Sequence, residues 1–167
     1  LASACSMIPP ITWVFPTGAG KTHVIGGIIE QALASGKNHI LILSHVKEIL
    51  KQNRDRIEEV TGRGVAMYSA GMEVRQIDKI TVAGIQSAWR APEAFRHFEI
   101  VIIDECHLIS TRAESMYQKL LAYLPDATRI GLTATPFRLK EGYIYGEGMM
   151  FDHIAYDLTS MDNINRL

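Results

Sequence analysis

A short stretch near the N-terminus, FPTGAGKTH at residues 15–23, contains the residue types that bind phosphate. Gly18 and Gly20 allow backbone N–H groups to close around phosphate oxygens, because glycine adopts conformations that other residues avoid. Lys21 can reach the outer phosphates of a nucleotide, and the hydroxyl of Thr22 can bind Mg²⁺. The Gly-Lys-Thr ending therefore predicts a nucleotide-phosphate site.

The first position of this stretch departs from the general pattern G-x-x-x-x-G-K-[ST], since Phe15 stands where the pattern has glycine. We expect the departure to matter little, because this residue is still leaving the preceding strand. An ordinary strand-to-helix turn is the alternative interpretation. The loop alone does not decide between them, so the rest of the chain must supply a magnesium ligand and a group that activates water.

Two adjacent acids have the chemistry for both tasks. Asp104 and Glu105 follow four apolar residues in the stretch IVIIDECH, residues 100–107. At the end of a buried strand, Asp104 can hold Mg²⁺ directly or through water, while Glu105 can orient and deprotonate an attacking water molecule. Neighbouring carboxylates are costly without a cation, which favours a functional pair.

Three further polar residues lie near the ends of predicted strands. His107 follows the two acids, and it is either a hydrogen-bonded structural histidine or a link between the nucleotide site and motion. Thr133 and Thr135 occur in LTATPFR, where ordinary turn chemistry ahead of Pro136 is an equal alternative to function. The residue types by themselves leave these alternatives open.

Short β-branched runs alternate with helical patterns along the chain. Strands are predicted at residues 11–15, 39–44, 64–69, 79–84, 98–104 and 128–135. Helices are predicted from Lys21 to about Gly36 and over residues 46–60, 85–90 and 110–125. This alternation predicts an α/β fold with a parallel sheet covered by helices on both faces. Ligands of such sheets lie beyond the carboxyl ends of the strands, where every candidate residue falls.

The overall composition limits the possible functions. The 167 residues fit one domain, and the net charge of −1 argues against a chain-wide electrostatic grip on nucleic acid. Cys5 and Cys106 are too few for a disulfide framework, and the N-terminus lacks the basic flank of a signal peptide. The apolar runs are too short to cross a bilayer. We therefore expect a cytoplasmic protein with no membrane partner.

The stretches PTGAGKT, DECH and TAT together resemble motifs I, II and III of superfamily 2 helicases and translocases, in their DExH branch. ILSHVKEILKQ (residues 42–52) resembles motif Ia, and ITVAGIQSAW (residues 80–89) resembles the next strand-end motif. GLTATPFRLKEG, followed by GEGMMFDHIAYDL, is similar to RecG-related and XPB-like DNA helicases and to the motor subunits of type I and type III restriction enzymes. The resemblance extends from about residue 11 over essentially the whole chain and implies a P-loop NTPase domain with the RecA-like fold.

The resemblance implies a role for each matching position. The loop residues would bind ATP and Mg²⁺, namely Thr17, Gly18, Ala19, Gly20, Lys21 and Thr22. Thr22 and Asp104 would be the metal ligands, Glu105 the catalytic base, and Lys21 a further catalytic residue. His107, Thr133 and Thr135 would couple hydrolysis to movement on DNA. Contacts with nucleic acid are expected from Ser44, His45, Gln86, Ser87 and Arg138, the last of which can instead meet a second motor domain.

Motors of this superfamily contain two RecA-like domains with ATP at their junction. Residues 1–167 would form a single N-terminal RecA-like ATP-binding domain, because too few residues follow Thr135 for another domain. We find no upstream glutamine segment that recognises adenine. The chain is therefore expected to be the first motor domain of a larger protein, cut at both ends, with the second RecA-like domain as its partner.

These motifs are compatible with several functions. The leading one is the motor of an ATP-dependent DNA helicase or translocase, and the runner-up is a restriction-enzyme motor, which a nuclease domain elsewhere in the full protein would identify. RNA is a less favoured track. A non-catalytic nucleotide-binding scaffold belongs to a different class, and the intact Lys21, Thr22, Asp104 and Glu105 argue against it.

Overall fold

The computed structural model describes residues 11–14, 20–109, 111–134, 137–138, 142–143, 151 and 153–157. The strands in these ranges are β1 (Ile11–Val14), β2 (Ile40–Ser44), β3 (Ala66–Ser69), β4 (Val74–Arg75), β5 (Ile80–Gly84), β6 (Ile100–Ile103), β7 (Thr128–Thr133), β8 (Phe137–Arg138), β9 (Gly142–Tyr143) and β10 (His153–Asp157). The α-helices are α1 (Lys21–Ala34), α2 (Lys47–Thr61), α3 (Ile85–Ala88) and α4 (Thr111–Leu121).

Eight of these strands form one sheet in the order β10-β1-β7-β6-β2-β5-β3-β4. Its neighbouring strands are parallel except β3 and β4, which are antiparallel. Strands β8 and β9 form a separate antiparallel pair. Parallel strands need crossover connections, and α1 lies in the connection from β1 to β2 and α2 in the one from β2 to β3. The predicted α/β fold with a mainly parallel sheet is confirmed.

The central strands supply two apolar clusters, one on each face of the sheet. Strands β2, β5 and β6 are buried at every position, as the uninterrupted apolar runs of parallel strands predict. Because successive side chains point to opposite faces, Ile40 and Ile42 join the cluster that includes α1 and α2. Leu41 and Leu43 join the cluster that includes residues of α3 and α4. Helices therefore cover both faces, as predicted.

The register of the parallel strands brings their carboxyl ends to one edge of the sheet. Ser44 at the end of β2 pairs with Gly84 at the end of β5. Ile103 at the end of β6 pairs with Leu43 on one side and with Gly131 on the other. The polar residues that follow these strands are thus collected at a single edge.

The predicted strand boundaries agree with the structure to within two residues, but two strands of the large sheet were not predicted. The two-residue β4 adds an antiparallel edge beside β3, and β10 pairs in parallel with β1 at the opposite edge. Neither has the long β-branched run that marks the central strands, so their pairing depends on contacts distant in sequence.

An aromatic side chain just before β10 packs against the middle of the sheet. Phe151 is 1% exposed and its ring lies over Gly131 of β7. A Cβ atom at position 131 would lie 2.5 Å from Cζ of that ring, which is closer than atoms can approach without movement. Glycine is required here by the close approach of the ring.

We predict that Gly131→Ala lowers the free energy of unfolding by about 1–3 kcal/mol, because the added methyl group overpacks the contact with Phe151. Urea unfolding measures the effect. As a control, Gly27→Ala on the exposed face of α1, where nothing lies within 4 Å of the new Cβ, should raise stability by about 0.5–1 kcal/mol. Equal stability of Gly131→Ala and the parent would contradict the packing described.

Candidate functional site

The predicted phosphate-site lysine lies against both strand-end acids. Lys21 is the first residue of α1, and its Nζ contacts Oε1 of Glu105, a residue 84 positions away in sequence. The same Nζ lies 3.8 Å from Oδ1 of Asp104. One ammonium beside two carboxylates offsets the repulsion between them, so these three side chains form a single electrostatic cluster.

Asp104 is nearly enclosed, with a side chain that is 7% exposed. Its Oδ1 accepts the backbone N–H of Glu105 at 3.0 Å, and its Oδ2 accepts an N–H from Asn53 Nδ2 at 2.9 Å. Burial raises the pKa of Asp104, while the Lys21 ammonium and these two donors oppose the rise. The negative charge of this carboxylate therefore depends on nearby cations and donors.

Glu105 combines an uncommon backbone conformation with an unsatisfied oxygen. Its φ of 50° and ψ of 46° are left-handed, a conformation that is costly for a residue with a side chain and that clusters at functional sites. Its Oε2 is buried and receives no hydrogen bond within the described part of the chain. Such an oxygen has the capacity to accept a proton from water.

A cavity of about 710 Å³ opens beside this cluster. The start of α1, one face of α2 and the residues after β6 and β7 line it, including Gly20–His23, Asn53, Arg56, Asp104, Glu105 and Ala134. Its volume is in the range of ligand sites in proteins. Gly20, at the start of α1, has a φ of 73°, which favours glycine.

His107 joins the acids to the end of β7. Its Nδ1 shares a hydrogen bond of 2.7 Å with Oγ1 of Thr133 and lies 3.4 Å from Oε2 of Glu105. Burial lowers the pKa of His107, although the carboxylate of Glu105 acts in the opposite direction. The neutral imidazole is therefore favoured, and the predicted pair of coupling residues His107 and Thr133 is in direct contact.

Residues 10–138 match the protein family described as "Type III restriction enzyme, res subunit". This match covers more than half of the sequence. The chain belongs to this family. We call this family the Res-subunit family below.

The Res-subunit chain is also similar to a curated protein, the "Type I restriction enzyme EcoAI endonuclease subunit" of Escherichia coli. The two are 32% identical over 138 residues, which is 77% of this chain and 17% of the relative. The chain thus spans about a sixth of the length of that curated relative.

Solved structures of helicases have the same fold. The UvsW helicase of bacteriophage T4 matches with a TM-score of 0.69 and 20% identity, over 89% of this chain and 54% of that one. The DUF1998 helicase MrfA, in a structure bound to DNA and AMPPNP, matches with a TM-score of 0.60 and 21% identity, over 76% and 22% of the two chains. At these identities the likeness concerns the fold, which is that of a RecA-like helicase motor domain.

Four of the five predicted nucleic-acid residues of this domain, Ser44, His45, Gln86 and Ser87, lie at or just after the ends of β2 and β5. Gln86 Nε2 donates to the backbone carbonyl of His45 at 2.7 Å and so ties the two strand ends together. The Ser44 hydroxyl oxygen accepts the N–H of Val46 at 3.3 Å. The Ser87 oxygen accepts the N–H of Ala70 at 2.9 Å. These side chains therefore organise the edge of the sheet, and each serine hydroxyl keeps its proton for another acceptor.

Some predicted positions lie outside the described residues of the domain. They are Thr17, Gly18, Ala19 and Thr135. Arg138 is described by its backbone alone, in β8. Their roles stay predictions, as do the roles of the residues that the structure brings together.

The chemistry of the cavity fits Mg²⁺ held together with a nucleotide. Mg²⁺ is commonly bound by one or two carboxylates, several waters and the phosphates of its substrate, and a cage of protein ligands is not needed. The described side chains hold no group of three or more His, Cys, Asp or Glu that would form such a cage. Asp104, the Thr22 hydroxyl and the unsatisfied Oε2 of Glu105 supply oxygen atoms of the required type.

The motif comparison missed one residue of this site, Asn53. It contacts Asp104 from the second turn of α2. A signal for it exists in the sequence, because Asn53 falls three residues after Leu50 and four before Ile57, which are both buried. A polar side chain on such an apolar stripe needs a partner.

Among the described residues, no helix is both long and apolar enough to cross a membrane. The longest helix in this set is α2, with 15 residues, and it carries charges along most of its length.

We predict that His107 makes stability depend on pH. Because burial lowers its pKa in the fold, the unfolded chain binds the proton more readily, so the free energy of unfolding falls as the pH drops below about 6.5. His107→Asn should show a smaller loss between pH 7.5 and 5.5, as measured by urea unfolding in EDTA. The exposed, uncharged Gln118→Asn on α4 is the control and should behave as the parent does. An unchanged pH dependence in His107→Asn would exclude this role.

Proposed function

We propose that this chain is the ATP-binding motor domain of a DNA helicase or translocase. The observation that carries the proposal is the position of the Lys21 ammonium. Its Nζ contacts Oε1 of Glu105 and lies 3.8 Å from Oδ1 of Asp104, and all three residues line one cavity. A lysine at a helix N-terminus and two acids at a strand end are the parts that position and hydrolyse a nucleoside triphosphate. Membership of the Res-subunit family supports the same assignment.

Each residue of the cluster has a distinct task in this proposal. The backbone at Gly20 and the Lys21 ammonium bind the phosphates. When nucleotide binds, the ammonium exchanges the anionic oxygens of the carboxylates for those of the phosphates, so the electrostatic cost of its movement is small. Thr22 and Asp104 hold Mg²⁺, which, when bound, neutralises charge that develops on the phosphates. Glu105 orients the attacking water and accepts its proton at the unsatisfied Oε2. A change in the protonation or position of Glu105 would alter its contact with His107, and through the hydrogen bond of His107 it would affect Thr133 at the end of β7.

Nucleic acid is proposed to cross the edge of the sheet at the ends of β2 and β5. Ser44, His45, Gln86 and Ser87 lie there, and Arg138 is a further candidate. Hydroxyl and N–H groups contact the phosphate backbone without reading its sequence, which suits a motor. The solved structure of MrfA, a protein of the same fold bound to DNA and AMPPNP, supports both DNA and ATP as ligands.

The proposed protein is larger than this chain and acts in the cytoplasm. Residues 1–167 would be its first RecA-like domain, and a second RecA-like domain would close over the ATP and supply an arginine finger. Such a finger contributes about 10³–10⁵ in rate. We therefore expect this chain alone to hydrolyse ATP slowly and to leave duplex DNA intact.

A restriction system is the second candidate. The specific observation in its favour is the 32% identity with the EcoAI endonuclease subunit, which covers 77% of this chain. In that case the same site would drive movement along DNA, and cleavage would belong to another domain of the full protein.

We predict that Lys21→Ala weakens the binding of Mg·ATP by at least roughly tenfold, because a hydrogen bond to a charged group contributes about 1.5–3 kcal/mol. Isothermal titration calorimetry measures the affinity. Lys51→Ala, which removes an exposed lysine of α2 outside the cavity, should bind as the parent does. Unchanged binding in Lys21→Ala would overturn the proposed site.

We also predict weak binding of single-stranded DNA that decreases as salt increases, since the net charge of −1 leaves only a local contact. If Arg138 contacts a phosphate, Arg138→Ala should lower the salt slope by about one. Fluorescence anisotropy with a labelled oligonucleotide measures both quantities. The control Arg63→Ala removes an arginine that pairs with Glu30. Equal slopes for Arg138→Ala and the parent would remove Arg138 from the track.

A further inference from the structure

Asn53 occupies a position on α2 where an apolar side chain would be expected. Leu50 and Ile57, three residues before it and four after it, are 1% and 0% exposed and pack toward the sheet. Residues at these spacings share one face of a helix. Asn53 therefore faces the sheet between two buried apolar residues, and a half-buried amide at that position loses its contact with water.

The amide recovers a hydrogen bond from the carboxylate of Asp104. Asn53 Nδ2 donates to Oδ2 at 2.9 Å, while Oδ1 is engaged by the N–H of Glu105 at 3.0 Å and by Lys21 at 3.8 Å. The two oxygens of the carboxylate thus have different partners on different elements. Rotation of the carboxylate would break both hydrogen bonds, so its plane is fixed.

The helix that carries Asn53 is itself closely held. Gly26 of α1 lies so near to α2 that a Cβ atom there would be 2.7 Å from Cγ1 of Val60. Leu50 packs against the end of β5, where a Cβ atom at Gly84 would lie 3.1 Å from its Cδ1. With α2 fixed against both α1 and the sheet, the position of the Asn53 amide is determined by packing.

We infer that Asn53 is a positioning residue, which holds the Asp104 carboxylate in the orientation that binds the divalent cation of the nucleotide. The inference rests on the proposed function. Partners that hold a metal-binding carboxylate in place commonly affect metal affinity by about 10–100-fold. A neutral amide suits this task, because it donates a hydrogen bond without adding a charge that would compete with the cation.

The test separates the contribution of the metal from the affinity for the nucleotide itself. Calorimetry measures ADP binding once with Mg²⁺ and once with EDTA, and the ratio of the two affinities reports the metal. In Asn53→Leu, which has a similar volume and no donor, we expect this ratio to fall by about 10–100-fold while the affinity in EDTA stays near that of the parent. Asn53→Gln keeps the amide and should recover part of the ratio.

Two controls distinguish positioning from a structural role. Urea unfolding of Asn53→Leu should still show one cooperative transition, at a midpoint somewhat below that of the parent, because Oδ2 of the buried Asp104 loses its hydrogen-bond donor. Such a transition shows that the variant is folded when the ratio is measured. Lys51→Ala, on the exposed side of the same helix, should keep the ratio of the parent.

The outcomes separate this inference from the function on which it rests. A folded Asn53→Leu with the ratio of the parent overturns the positioning role and leaves the proposed function standing. A parent protein whose ADP affinity does not respond to Mg²⁺ overturns the proposed function and this inference with it.

Discussion

One lysine ammonium beside two strand-end carboxylates is the constraint on which the rest of the structure depends. Asp104 follows a strand buried at every position, so its charge is supported by few groups other than Lys21 and two hydrogen bonds. The sheet order places β7 between the strand that precedes α1 and the strand that precedes the acids. The side chain of Lys21 must therefore reach the acids past the end of β7. The residue that follows this strand is the small Ala134, which lines the same cavity as Lys21 and the two acids.

The sheet edge at β2 and β5 is organised in a different way. There three polar side chains bond to the neighbouring backbone: the amide of Gln86 donates to the carbonyl of His45, and the oxygens of Ser44 and Ser87 accept neighbouring N–H groups. Among the described residues, the nucleotide side of the domain thus contains an unsatisfied carboxylate oxygen on Glu105, and this edge contains one unsatisfied ring nitrogen, Nδ1 of His45. A partner at this edge would meet a preformed surface, and ordering it on binding would cost little entropy.

The sequence predicted the central strands and the acid cluster because both depend on local patterns. Uninterrupted apolar runs identify β2, β5 and β6, and a Gly-Lys-Thr loop and adjacent acids are recognisable from residue types alone. Three other features join residues that are distant in sequence. They are the pairing of β10 with β1, the packing of Phe151 on Gly131 and the hydrogen bond from Asn53 to Asp104. Local propensity does not contain that information, although the polar residue on the Leu50–Ile57 stripe was a visible irregularity.

The close approach of α1 and α2 at Gly26 has an evolutionary consequence. A larger residue at position 26 would displace Val60, and with it the helix that carries Asn53, unless the residue at position 60 became smaller at the same time. The two positions are therefore expected to vary together among descendants of this chain, with their combined volume nearly constant. A pair made of one glycine of α1 and one residue of the cavity lining would in this way preserve, over many generations, the helix spacing that the metal-binding carboxylate requires.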